Sequence, residues 1–319
     1  MGYSERYACQ VIGLNRSTLR RYLGRRPSNQ EVRRTLLADT IGRVHEASRA
    51  TYGVRRVRAA LLHEHGVVAN HKLVARIMAS LGLHGLPMRR RKWRQLKNVP
   101  TTEDLLSRNF RAPAMNRVWL TEITEHKTRE GTLYCCAVLD LYSRRVVGWA
   151  IDRRNEAAMV NDALTMAAKS RTTSPETILH SDHGSQFVSW AFTQNLGHHP
   201  ILGSMGTVGD CFDNAPMESF WGSMQIEPLN RQAWMTHVQL STAIADYIVN
   251  FYNPRRRHSS LGYLTPEEFE GLPSSDNPAT TLIGVGHFSG YTSPGTANGV
   301  RSSGPGSMCW SSTTWRSGH

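Results

Sequence analysis

Three acidic residues in this chain are spaced so that their carboxylates can meet. Asp182 follows Thr177-Ile178-Leu179, a β-branched and apolar run that reads as a buried strand. It therefore falls at the carboxyl end of that strand, where open α/β sheets place their ligands. Glu218 lies in the first turns of a predicted helix, because Met217, Phe220, Trp221 and Met224 recur at helical spacing. Asp213 or Asn214 can cap that helix, and Pro216 is tolerated where no amide donor is needed. On it, Asn214, Glu218 and Gln225 share the face away from Met217, Phe220 and Met224. The third acid, Glu122, stands in Trp119-Leu120-Thr121-Glu122-Ile123-Thr124, which reads as a first strand.

Carboxylates brought together repel, and they stay ionised only beside a cation; an open set of oxygen ligands suits Mg2+ or Mn2+. Two such ions about 3.5–4 Å apart support phosphodiester hydrolysis or transfer, activating the attacking oxygen and stabilising the leaving one. Asp140 competes for membership, since it also ends a predicted strand and would replace Glu122 if the first strand were displaced. Its more ordinary role is a pairing with Arg144 or Arg145. Asp210 and Asp213 are candidate helix caps.

The elements that must position these acids begin at Val118. Strands over 118–123, 133–141 and 146–151 form an antiparallel meander, and a helix over 156–169 follows with Ala157, Val160, Leu164 and Ala167 on one side. Next come the Asp182 strand, a helix near 188–196, a short strand at 201–202, the Glu218 helix and a long helix over 238–252. Thr265-Pro266-Glu267-Glu268 starts a closing helix. Gly203-Ser204-Met205-Gly206-Thr207-Val208-Gly209 has no nucleotide-loop pattern and reads as a mobile loop beside the site. This order predicts an α/β RNase H-like core with a mixed five-stranded sheet.

Upstream the pattern is helical and basic. Residues 5–23 read as a helix, a turn at Gly13 and a second helix over 16–23 carrying Arg16, Arg20 and Arg21, with small Cys9 where the helices cross. That is a helix-turn-helix, whose second helix can enter a major groove; the alternative is a plain helical hairpin with a basic face. A helix over 30–48 turns Val32, Leu36, Ile41 and Val44 inward. Two more, over 54–64 and 71–81, form a small core from Val57, Leu61, Val74, Ile77 and Met78. Arg55, Arg56, Arg58, Lys72 and Arg76 are left to meet phosphates. In the run 88–97, Arg90, Arg91 and Lys92 flank Trp93, a stacking surface that a merely solvated linker does not require. After the long helix, Arg255, Arg256 and Arg257 are candidates for phosphate contact, or else cap the helix carboxyl end.

The 319 residues carry 38 Lys+Arg against 25 Asp+Glu, a formal charge of +13 that favours a polyanionic partner. No signal peptide and no apolar run of membrane-spanning length is apparent, so a cytoplasmic protein is expected. The five cysteines lack paired metal spacing, and His63, His65 and His71 read as surface histidines. Beyond Gly271 the chain turns to Gly, Ser, Thr and Pro without periodicity, a composition that cannot offset its ordering entropy.

The blocks Trp119–Thr124, GTLYCCAVLDLYSRRVVGW (131–149), 180–187, GDCFDNAPMESFW (209–221) and YNPRRRHSSL (252–261), taken in this order, resemble the OrfB-type transposases of the insertion sequence three family. Tyr52-Gly53-Val54-Arg55-Arg56 resembles the second helix-turn-helix of the same proteins. The resemblance covers most of residues 5–270. It implies a retroviral-integrase-like DDE core in which Glu122, Asp182 and Glu218 are catalytic and hold two Mg2+ or Mn2+ ions when DNA is bound. It further implies cleavage that exposes a 3′-hydroxyl at terminal inverted repeats and strand transfer by that hydroxyl. Double-stranded DNA, a homo-oligomer on it and a separate upstream helix-turn-helix protein of the same element are the implied partners. The family has aspartate where this chain has Glu122. The added methylene moves the carboxylate by about 1 Å, and misplacement of that order costs about a hundredfold in rate. A DNA-binding regulator with impaired turnover and an RNase H-like nuclease are therefore the alternatives. The expected division is 1–27 helix-turn-helix, 28–87 second helical region, 88–113 basic linker, 114–270 catalytic core and 271–319 tail.

Overall fold

The computed structural model describes residues 4–87, 112–182, 184–205 and 215–273. The chain falls into two compact units, Met1–Gly85 and Leu86–His319.

In the first unit the described helices are α1 (Glu5–Val11), α2 (Arg16–Leu23), α3 (Asn29–Ala47), α4 (Val54–His65) and α5 (His71–Ser80). Their starts are written locally. The Ser4 and Asn15 side chains accept from amides of the first turns of α1 and α2, and Ser28 with Glu31 forms a capping box on α3. Gly66 ends α4 in the left-handed region, at φ 64°, a conformation that costs glycine no steric strain. Ile41, Val44, Val57, Leu61, Val74, Ile77 and Met78 form the core of α3, α4 and α5. Val32 and Leu36, expected inside, are exposed, so the inward stripe of α3 runs only along its carboxyl-terminal half. Cys9 is buried beneath the α1–α2 turn.

The second unit is built on a five-stranded sheet of order β3-β2-β1-β4-β5, comprising β1 (Val118–Thr128), β2 (Gly131–Asp140), β3 (Val146–Asp152), β4 (Thr177–Ser181) and β5 (Ile201–Met205). The pairs β1/β2 and β2/β3 are antiparallel, and β1/β4 and β4/β5 are parallel. This is the RNase H-like arrangement that the strand pattern predicts. Trp119, Cys136, Val138, Val147 and Leu179 form one core with Met159, Val160 and Leu164 of α6 (Ala157–Ser170) and with Phe192 of α7 (Trp190–Gly197). Strand alternation then turns Glu122 to the opposite face of β1, against which α8 (Ala215–Ile226) packs.

Two expectations are corrected here. Gly203, Ser204 and Met205 belong to β5 and not to a loop, because each pairs with β4; Gly206–Gly209 lie outside the described residues. The long last helix is α-helical only as α9 (His237–Tyr247) and continues as a π-turn, Ile248–Tyr252. The wider turn brings Tyr247 and Tyr252 together, ring centroids 5.9 Å apart, beneath α8. Finally, α10 (Pro266–Glu270) starts at Thr265 with the predicted capping box and is tied through Glu270 to Arg145 of the β2–β3 connection and to Arg171 at the end of α6.

Candidate active site

Register places the first two acids side by side. The parallel β1/β4 ladder pairs Val118 with Ile178 and Leu120 with His180. The same offset carried two residues further sets Glu122 beside Asp182, just past the end of β4. Glu218 comes from the first turn of α8, where Met217, Phe220 and Met224 are buried and fix which face the glutamate presents. The three charges act on one another: burial first, then Asp182 and then Glu218 push the Glu122 carboxyl up to about 8. The Trp221 indole N–H, short of full hydrogen-bond geometry, offsets part of that rise.

Asp182 is itself oriented by the turn that follows it. The Gly184 amide donates to its Oδ1 at 3.1 Å, and Gln186 donates to the Asn155 carbonyl at 3.2 Å, tying this turn to the start of α6. A side chain at Gly184 would place its Cβ 3.0 Å from Asp182 Oδ1 and 3.3 Å from both Gln186 Oε1 and Phe187, so these neighbours would have to give by a few tenths of an ångström. Further along α8 and β1, burial lowers the His126 imidazole to about 4, with Gln225 beside it. Sequence pattern gives Trp221, Gly184 and Gln186 no positioning role; the local signal is a glycine two residues after Asp182.

Asp140 does not compete for the site. It is fully buried and accepts from the backbone amides of Asn116 (2.7 Å), Tyr142 (2.8 Å) and Ser143 (3.3 Å), which makes it a fastener for the β2–β3 connection. Of the two arginines expected to pair with it, Arg145 bonds Glu267 and Glu270 instead, whereas the charge of Asp140 acts on the partly buried Arg144.

The basic residues divide. In the first unit, Arg16 and Arg20 lie 3.6 and 2.9 Å from Glu5, and Arg20 most strongly lowers that carboxyl; Arg21 and Arg55 are exposed, and Arg56 lies over the Tyr52 ring. Arg90, Arg91, Lys92 and Trp93 lie outside the described residues, as do Asp213 and Asn214. Of the trio after α9, Arg255 is exposed, but Arg256 and Arg257 are buried and are corrected as phosphate contacts. Arg256 donates to both Glu227 oxygens and, at 2.7 Å, to Ser223 Oγ on α8; the Tyr247 hydroxyl completes the Glu227 shell at 2.7 Å. Arg257 donates to Glu268 and to the Tyr263 carbonyl, holding the α10 cap. Such pairing is what buried charge demands.

Among the described residues the cysteines Cys9, Cys135 and Cys136 are free and buried, and no helix is long and apolar enough to cross a membrane.

Family comparison agrees with this architecture. An integrase core domain family matches residues 112–211, a second integrase core family matches 201–266, and an HTH-like domain family matches 31–92. The transposase for insertion sequence element IS904 of Lactococcus lactis is 34% identical over 248 residues, covering 77% of this chain and 98% of the relative. Transposase InsF for insertion sequence IS3A of Escherichia coli is 32% identical over 272 residues, covering 84% and 94%. Among solved structures, a chain of the simian T-cell lymphotropic virus intasome in complex with PP2A regulatory subunit B56 gamma aligns at 15% identity and TM-score 0.42, over 73% of this chain and 75% of that one. With integrase-core and HTH-like domains in one chain and relatives of this similarity over nearly their whole length, the chain belongs to the IS3-family transposases, DNA-binding proteins of the polynucleotidyl transferase class.

Proposed function

We propose that this transposase cleaves DNA at terminal inverted repeats and joins the exposed ends to a target, with Glu122, Asp182 and Glu218 as the catalytic carboxylates. The observation that carries the reading is the approach of these acids where β1 and β4 part: burial first, and then the charges of Asp182 and Glu218, push the Glu122 carboxyl up to about 8. Carboxylate oxygens alone suit a hard divalent ion, and positive charge would relieve the crowding that raises Glu122. Glu122, Asp182 and Glu218 are thus the residues that would hold two Mg2+ or Mn2+ ions. When bound, these supply an activated oxygen nucleophile and charge stabilisation at the leaving oxygen.

The chain's own groups prepare that chemistry. The Gly184 amide fixes one Asp182 oxygen, Trp221 steadies Glu122, and the apolar underside of α8 sets the direction of Glu218. In cleavage, a water oxygen bonds to phosphorus as the bond to the 3′-oxygen breaks and a 3′-hydroxyl departs. In joining, that hydroxyl attacks a target phosphorus and a target 3′-oxygen leaves. Arg16, Arg20, Arg21, Arg55, Arg56 and Arg255, with the linker residues Arg90, Arg91, Lys92 and Trp93, supply the phosphate-binding charge, so affinity should fall steeply with salt.

Glu122 favours a second reading, a DNA-binding regulator of transposition with impaired turnover, because the longer acid displaces one carboxylate of the set. Duplexes carrying the terminal repeats, incubated in Mg2+ or Mn2+, decide between them. Under the enzyme reading the given chain cleaves and joins, Asp182→Asn abolishes both, and DNA binding is retained. A silent parent that Glu122→Asp restores establishes the regulator; a silent parent that stays silent as Glu122→Asp removes the site assignment.

A further inference from the structure

The buried Arg256 cluster lies on the side of α8 away from its first turn, and its bonds lead back along the helix toward the acids. Arg256 donates to Ser223 Oγ at 2.7 Å, and Ser223 Oγ donates in turn to the Ser219 carbonyl at 2.8 Å. Ser219 is the residue next to Glu218. The same guanidinium grips Glu227, one residue past the end of α8, through both its Nε and its second terminal nitrogen. It sits 5.8 Å over the Tyr252 ring, which meets Phe220 edge-on at 4.8 Å, and Phe220 in turn packs on Trp221 at 4.6 Å. One side chain therefore holds α8 at its middle, at its end and through its aromatic underside.

An α-helix packed only by apolar residues can rotate or slide slightly at small cost, since apolar contact is non-directional. Directed, charge-assisted hydrogen bonds to two points of one helix remove that freedom. Rotation of α8 would carry Glu218 away from Glu122 and Asp182 and would take the Trp221 N–H with it. We propose that Arg256 is a positioning residue that fixes the rotation of α8, and through it the spacing of the carboxylate set for divalent ions. Arg257 makes the comparison. It is equally buried, and its donations to Glu268 and to the Tyr263 carbonyl hold the α10 cap.

The proposal rests on the metal-binding reading of the three acids, and Mn2+ uptake by the full-length protein, followed by electron paramagnetic resonance, separates the two. The parent should bind Mn2+, Glu218→Gln should weaken uptake, and Arg256→Lys should weaken it at least tenfold. Arg257→Lys, matched in lost thermal stability, should leave uptake unchanged. Activity should respond in parallel: the Mn2+ concentration for half-maximal cleavage rises in Arg256→Lys and not in Arg257→Lys, while DNA affinity stays level. Where Arg256→Lys does not accumulate as folded protein, Ser223→Ala, which leaves the ion pair whole, should weaken uptake severalfold. Equal loss of uptake in the Arg256 and Arg257 variants, or unchanged uptake in Arg256→Lys or Ser223→Ala, overturns the positioning role and leaves the metal site standing. No uptake by the parent, or uptake indifferent to Glu218→Gln, overturns the metal-site reading and the positioning role with it.

Discussion

The two ends of α8 treat charge in opposite ways. At the carboxyl end, Glu227 meets Arg256, Tyr247 and, through Arg256, Ser223, so burial is answered by hydrogen bonds from within the chain. At the amino end, Glu218 joins Glu122 and Asp182, so burial at Glu122 is compounded by like charge. The Arg256 guanidinium shows the difference in sign: burial alone lowers its proton affinity, yet the acidic groups Tyr247 and Glu227 raise it well above its ordinary value. At one end burial is answered by hydrogen bonds; at the other, like charge adds to it.

Breaking the satisfied end should have the largest effect on the fold. Arg256→Ala leaves Glu227 buried beside an empty socket and should cost about 3–5 kcal/mol in chemical denaturation. Replacing Glu227 and Arg256 together by leucine and methionine should recover much of that loss, because no isolated charge remains. A double variant as unstable as Arg256→Ala would mean that the Ser223 and Tyr247 bonds dominate.

At the amino end, crowding should be visible as a dependence of stability on pH in metal-free protein. The folded Glu122 carboxyl is raised from 4.5 to about 8, so its contribution is full below about 4.5 and is lost as pH rises through 8. His126 is lowered from 6.5 to about 4, so its contribution is full above 6.5 and is lost as pH falls through 4. Melting temperature should therefore peak between these limits. Glu122→Gln should flatten the alkaline flank alone and His126→Gln the acid flank alone; a profile that neither variant changes breaks the contrast.

A smaller effect is expected at Gly184. The alanine variant forces a Cβ to 3.0 Å from Asp182 Oδ1, and the turn should yield by a few tenths of an ångström, lowering cleavage about tenfold with little change in melting temperature. Smallest of all, Glu5→Gln in the first unit should leave melting temperature unchanged within error, because its partners Arg16 and Arg20 are exposed and such pairs add little.

This contrast also marks where the sequence was readable. Leu120 and Ile178 lie in apolar runs whose period and length set the strands, and the run of Met217, Phe220 and Met224 sets the orientation of Glu218, so pattern supplies the elements that carry the acids, while the choice of Glu122 over Asp140 leans on the family resemblance. Arg255, Arg256 and Arg257 are a uniform basic run in one dimension. Their separation into one exposed and two buried groups depends on Glu227 and Glu268, which lie far along the chain or across a turn, and on a π-turn that has no sequence period of its own. Val32 and Leu36 mislead for a related reason: their spacing continues the apolar stripe of α3 past the point where α4 and α5 are there to cover it.

The short β1/β4 ladder has a consequence for solubility. Among the described residues, strand pairing with β4 ends at Leu120, whereas β1 runs on to Thr128 beside β2, so its other edge from Glu122 onward presents backbone groups of the kind that recruit strands from neighbouring molecules. The α8 helix packed against this strand is a means of covering such an edge. The opening that lets two acids project side by side is thus also a point of exposure to self-association, and the same helix guards both.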